Sequence, residues 1–249
     1  MRSLRPLRRL CLVGIPVIVL GAVHPSRATP VASAPESPAT ASVEGRVEVS
    51  RALTSRRPRF RIYDEPGASA PPAAVGEHDE RQNIVVYIER VPSGATPAPT
   101  GNAVLRQKAE RFTPRMLPVV RGTTVHFPND DALFHNVFSL SSAKEFDLGR
   151  YPRGVSRSVT FDKAGVVQVF CHTHSDMSAV VLVLDNPYFA VPDADGRYTI
   201  PNLPPGDYIL VAWHERIRPI THRLHLAQGQ RAQVDFTIPL PAADAARER

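Results

Sequence analysis

Two cysteines, one tryptophan and three methionines are all that 249 residues supply of these types, and each scarcity removes a class of protein. Cys11 lies in an N-terminal apolar segment, so Cys171 has no second thiol beyond it to pair with. The paired ligands that open and close a structural zinc motif are missing as well. The longest apolar run, Leu10 to Val23, falls short of a comfortable membrane span, so no stable membrane insertion is expected. Apolar periodicity of the helical kind is nearly absent. Net charge is small once the N-terminus is set aside. The formal net charge is +6, but Arg2, Arg5, Arg8, Arg9 and Arg27 lie within residues 1–28 with no acidic residue beside them. Without those five the balance is +1, which excludes the bulk electrostatics of nucleic-acid binding.

What the chain does contain is Pro, Gly, Val and Thr in short alternating stretches, the composition of one or two all-β domains with real cores. Residues 1–28 read as a signal peptide: basic Arg2 to Arg9, apolar Leu10 to Val23, then the small-x-small site Ser26-Arg27-Ala28. Export to the periplasm is the expectation. Residues 29–42, rich in Ala, Pro, Ser and Thr, are a disordered leader.

Alternation then predicts strands at Val43–Val49 and Gln82–Glu89, with a short edge strand at Arg59–Tyr63. The basic cluster Arg56, Arg57, Arg59 and Arg61 reads as a solvated face. After a linker from Pro92 to Gly101, strands are expected at Ala103–Lys108, Phe112–Val120 and Thr123–Phe127, with turn signals near Pro114 and at Arg121-Gly122. On the third of these His126 faces away from Val125 and Phe127, which sets it apart from any core-facing site. Val155–Asp162 and Val166–Cys171 follow, the latter carrying Val167, Val169 and Cys171 on one face. Met177–Leu184 is apolar on both faces and calls for a second layer packed against it. Further strands are predicted at Arg197–Ile200, Asp207–His214, Ile220–Leu226 and Ala232–Ile238, before a loose tail. Asp193-Ala194-Asp195-Gly196 is a hairpin turn and no calcium loop, because Pro204 stands where the twelfth-position Glu would be.

One constellation carries chemistry. In Phe170-Cys171-His172-Thr173-His174-Ser175-Asp176-Met177 a thiol, an imidazole and a thioether follow one another at three-residue spacing, and His135 arrives from a separate strand. A thiolate with two imidazoles and a weak axial thioether is the ligand set of a blue-copper electron-transfer site. A lone thiol in an exported protein calls for such an explanation.

These residues carry a resemblance. Val125 to Asp130, Phe134 to Ser139 and Val169 to Met177 resemble a cupredoxin, and the Cys-x2-His-x2-Met spacing is similar to the short ligand loop of amicyanin. The stretch from Gln107 to Pro219 resembles the periplasmic plastocyanin-like proteins labelled methylamine utilisation proteins. The resemblance implies one type 1 copper per chain, held by His135, Cys171, His174 and Met177. It also implies a supporting role for Asn136, whose amide would hydrogen-bond the ligand loop. His172, an unusual neighbour for the thiolate, leaves open which imidazole binds, although the spacing favours His174.

The C-terminal turns Asp193 to Tyr198 and Pro204 to Tyr208 resemble the transthyretin-like regulatory domain of carboxypeptidases. That resemblance implies a second small β-sandwich built from residues 43–92 and 186–240, with a Greek-key cupredoxin domain at 93–185 inserted in it and a tail at 241–249. The expected function is single-electron transfer between redox protein partners, with copper storage or delivery as the alternative. A store would expose several soft ligands, which one Cys and few Met do not provide. No enzymatic role is expected, since His214, His222 and His225 form no second metal geometry in the sequence.

Overall fold

Alternating apolar residues with short turns between them leave the backbone one way to satisfy its hydrogen bonds, by pairing strands. The computed structural model describes residues 40–49, 80–91 and 102–238, where the regular elements are strands and one short 3-10 turn, Glu80–Asn83. The protein is all-β. The expected signal peptide, the Arg59–Tyr63 strand, the basic cluster at Arg56 to Arg61, the linker and the tail 241–249 lie outside the described residues, as does nearly all of the leader.

In chain order the strands are β1 (Ala41–Val49), β2 (Val85–Ile88), β3 (Asn102–Val104), β4 (Arg106–Gln107), β5 (Phe112–Thr113) and β6 (Met116–Val120). Next come β7 (Thr123–Pro128), β8 (His135–Ser141), β9 (Lys144–Tyr151), β10 (Ser156–Phe161), β11 (Gly165–Phe170) and β12 (Ser178–Leu184). The chain continues with β13 (Phe189–Ala190), β14 (Arg197–Leu203), β15 (Gly206–Trp213), β16 (Ile220–Leu226), β17 (Arg231–Gln233) and β18 (Phe236–Ile238).

Strands β3 to β12 form sheets ordered β10-β7-β3 and β6-β12-β11-β8-β9, with β4 and β5 as a separate hairpin. Phe127, Val137, Tyr151, Phe161, Val167 and Val181 fill the core between them. A second pair of sheets, β14-β1-β17 with β18 also on β1, and β13-β2-β15-β16, encloses Val43, Ile84, Ile88, Leu203, Leu210 and Leu226. The two-faced apolar strand β12 is explained by this arrangement. Ala179, Val181 and Val183 point into the first core, while Val180, Leu182 and Leu184 pack with Met116, Val85, Tyr87, Phe189 and Trp213.

Several expected strands break where local chemistry interrupts the ladder. Gln82 and Asn83 belong to the 3-10 turn, stabilised by an Asn83 Nδ2 donation to Glu80 Oε2 at 2.8 Å, so the strand starts at Val85. Ala103–Lys108 divides because β3 pairs in parallel with β7 whereas β4 pairs with β5. Phe112–Val120 divides at Pro114, which has no N–H to give a ladder. Ala232–Ile238 divides at Val234 and Asp235, where the chain steps past Gly45. A Cβ on Gly45 would lie under 3.0 Å from the Val234 carbonyl oxygen, and the Arg46 amide donates to Asp235 Oδ1 at 2.8 Å. Strand β9 has no counterpart in the predicted set. It lies at the edge of its sheet with mixed exposure along its length, so no clean alternation marks it.

Candidate metal centre

The site is assembled by two strands and one loop. Strand β8 begins at His135, whose side chain is fully buried. Strand β11 ends at Phe170 and delivers Cys171, 5% exposed, on the face it shares with buried Val167 and Val169. The chain then turns tightly back into β12. The His174 carbonyl accepts from the Met177 amide at 3.0 Å, and the Met177 carbonyl accepts from the Cys171 amide at 3.2 Å. These two bonds close the loop that carries His174 and leaves Met177 buried.

The donors converge. His135 Nδ1 lies 3.1 Å from His174 Nδ1, and Cys171 Sγ lies 3.9 Å and 3.8 Å from them respectively. A triangle with these sides has a circumradius of about 2.1 Å, so one ion in its plane could reach all three atoms at a transition-metal bond length of about 2.0–2.3 Å. The outer nitrogen supports the same conclusion. His135 Nε2 faces Asp131 Oδ2 at 2.8 Å, where an N–H donates to the carboxylate and leaves Nδ1 as a lone pair turned inward. An Nδ1 lone pair on His135 can accept either an N–H of His174, 3.1 Å away, or a metal ion that replaces that proton. The residues fit a metal. Two imidazole nitrogens and one cysteine sulfur in a triangular array are the donor set of a His2Cys copper site.

The other named residues fall around this triangle. Met177 is 1% exposed and belongs to the same apolar cluster as Cys171. Asn136 ties three segments together: its Nδ2 donates to Asp147 Oδ1 at 2.6 Å and its Oδ1 accepts from the His172 amide at 3.3 Å. His172 turns away from the triangle and stacks on Phe138, with centroids 3.8 Å apart and planes 5° from parallel. His126 stays on the opposite side of β7 from buried Val125 and Phe127. Of the remaining histidines, His214 is buried against Glu80 at 3.2 Å and exposed His225 pairs with Asp207 at 2.8 Å. Among the described residues the only cluster of metal-ligating side chains is His135, Cys171 and His174.

Sequence reasoning did not single out Asp131 or Glu110. Burial acts to raise the Asp131 carboxyl, but hydrogen bonds from the Glu110 amide, His135 and the Ala109 amide outweigh it and hold the carboxyl below its ordinary value. Glu110, on the β4–β5 hairpin, places its carboxylate 3.7 Å from His174 Nε2. His174 is therefore neither deeply buried nor freely exposed: its side chain is 20% accessible and an acidic group stands at its outer edge.

No family model matches the chain, and no curated protein does. Solved structures do. A copper-containing nitrite reductase from Thermus scotoductus matches at 22% identity over 39% of this chain and 25% of its own, with a TM-score of 0.34. The chain thus spans about a quarter of that enzyme's length. A mutant of amicyanin in the Cu(I) state matches at 24% identity over 39% of this chain and 97% of its own, with a TM-score of 0.32. A purple cupredoxin from Nitrosopumilus maritimus matches at 25% identity over 33% of this chain and 98% of its own, with a TM-score of 0.29. The expectation of a protein without enzymatic role is corrected by the first of these, since the matched structures include a copper-containing nitrite reductase. These three structures are similar to between 33% and 39% of this chain.

Proposed function

We propose that this protein is an exported type 1 copper protein that passes single electrons between redox protein partners. The observation that carries the reading is the triangle of His135 Nδ1, His174 Nδ1 and Cys171 Sγ, with sides of 3.1, 3.8 and 3.9 Å. Copper, when bound, supplies a one-electron couple. The chain supplies donors that are already held close together before a metal binds. His135 is locked by burial and by Asp131, Cys171 by burial just past the end of β11, and the ligand loop by its two backbone hydrogen bonds. Met177, buried in the same apolar cluster as Cys171, would supply a thioether, a soft donor that disfavours the harder Cu(II) and keeps the potential high.

His174 is the proposed point of entry and exit, because it is the one imidazole of the triangle with exposed surface. Leu133 and Phe134, 48% and 50% exposed, lie just before His135 and provide apolar surface for a partner that must dock weakly and leave. The apolar run of residues 10–23 and the site after it support export, and among the described residues no helix is long and apolar enough to cross a membrane. We further assign residues 43–92 and 186–240 to one sandwich and 93–185 to the copper domain. The pairing of β1 with β14, β17 and β18, and of β2 with β13 and β15, supports that division.

Loading the purified protein with Cu(II) tests the reading. One equivalent should bind and give an intense thiolate-to-copper band. Cys171→Ser should abolish the band with the circular dichroism of the fold unchanged, and Met177→Gln should keep copper but lower the potential. A colourless protein that retains zinc against added Cu(II) would refute it.

A further inference from the structure

The loop before β8 and the β4–β5 hairpin are built around one carboxylate. Asp131 Oδ1 accepts from the Ala109 amide at 2.5 Å, and Oδ2 accepts from the Glu110 amide at 2.9 Å and faces His135 Nε2 at 2.8 Å. Ala109 and Glu110 form the centre of the hairpin turn, closed by amide-to-carbonyl bonds between Lys108 and Arg111. Both have positive φ, 52° and 55°, a conformation that L-residues other than glycine rarely adopt. Neither is glycine. The conformation points two successive N–H groups at one anion, the arrangement known as a nest.

The other side of the carboxylate is equally fixed. Asn129, fully buried, accepts the Asp131 amide on Oδ1 at 2.9 Å and donates through Nδ2 to the Leu133 and Tyr151 carbonyls at 2.9 and 3.1 Å. The Asp130 amide donates to the Gln107 carbonyl at 2.9 Å, which ties the loop to the base of the hairpin. An acidic side chain restrained from this many directions, 13% exposed and aimed at a fully buried imidazole, is more than a loop cap.

We propose that Asp131 is a positioning residue for the copper site that sets both the tautomer of His135 and the preferred oxidation state. The inference rests on the copper reading above. The carboxylate holds the proton of His135 on Nε2, so Nδ1 presents its lone pair to the triangle before any metal arrives. Negative charge on the outer nitrogen makes the inner one a stronger donor and favours the more positive metal state. Asp131 thereby opposes Met177, and the working potential is the balance of the two. Glu110 stands at the corresponding nitrogen of His174, but at 3.7 Å and with its side chain 58% exposed its influence is screened.

Asp131→Asn keeps the size and an oxygen for the nest while removing the charge. It should retain the thiolate-to-copper band, weaken Cu(II) binding about tenfold or more and leave Cu(I) binding much less changed. A tenfold change in that ratio is a rise in potential of about 59 mV for one electron. Glu110→Gln, a charge loss at similar range without the short hydrogen bond, should move the potential far less. Nitrogen NMR of the copper-free protein gives a second readout: His135 should carry its proton on Nε2 in the wild type, and the preference should weaken in Asp131→Asn. An unchanged potential, equal shifts in the two variants, or a wild-type His135 protonated on Nδ1 would each overturn the proposal. Failure of the copper reading is distinct: it is the absence of a Cys171-dependent band in the wild type, and the tautomer measurement needs no metal.

Discussion

Single side chains set the chemistry here through the direction of one hydrogen bond or the burial of one polar group. His172 and His174, two positions apart, show how direction matters: one stacks flat on Phe138 and the other faces Cys171 at 3.8 Å. Burial acts on the tyrosines. Tyr198 is 4% exposed and its hydroxyl donates to the Val234 carbonyl at 2.5 Å. Burial, and after it the Asp235 charge, pushes its phenol well above the ordinary value of 10.0. A raised value means that the folded protein holds this proton more tightly than the unfolded chain. The stability it contributes is therefore complete below about pH 10 and is lost as the pH rises through the folded value, by up to about 1.4 kcal/mol per unit. Tyr198→Phe should cost about 1 kcal/mol at neutral pH and make the alkaline loss shallower. Urea midpoints at pH 8 and pH 11 check this, and parallel profiles for the two proteins would contradict it.

Elements are shaped by what the neighbouring backbone permits. Strand β1 is the clearest case, because it pairs antiparallel with β14 on one side and parallel with β17 and then β18 on the other. The change of partner happens at Gly45, where the Val234 carbonyl occupies the space a Cβ would need. The obstruction is backbone, which cannot swing aside as a long side chain would. Gly45→Ala should therefore destabilise the protein by about 3 kcal/mol, near the upper end for overpacking. Chemical denaturation measures it. A loss below about 1 kcal/mol would mean that β17 and β18 sit farther from β1 than described. The β4–β5 hairpin is the opposite case, an element whose unfavourable turn is held in place by an acidic side chain from another loop.

At the scale of the whole molecule, two cores meet along β12. Leu182, 4% exposed, lies in the cluster with Val85 and Trp213, and the Arg115–Glu215 ion pair at 2.6 Å joins the same two sides. Trp213 is the only tryptophan, so its fluorescence reports this junction directly. Because the junction is apolar and closely packed, the two cores should unfold together. Fluorescence and far-ultraviolet circular dichroism should give coincident transitions. Leu182→Ala should lower both by about 2–4 kcal/mol. Two separated transitions in the wild type would show that the junction does not couple the cores.

The sequence by itself determined the strand-rich class and brought forward His135, Cys171 and His174, the three side chains that converge. Alternation is local, and a Cys-x2-His-x2-Met loop closes within seven residues whatever surrounds it. It also determined that β12 must be covered on both faces, since no apolar strand of that kind can face water. What covers it was a tertiary matter. So were the division of Ala232–Ile238 at Gly45, the edge strand β9 with its mixed exposure, and the pairing of β1 with strands about 150 residues or more away. Asp131 and Glu110 were illegible for the same reason. Acidic residues in loops are common, and only the approach of a hairpin to a loop about twenty residues later places a carboxylate on the outer nitrogen of each imidazole. Local pattern selects which residues can act, but hydrogen bonds between segments distant in sequence decide the tautomer and charge with which they act.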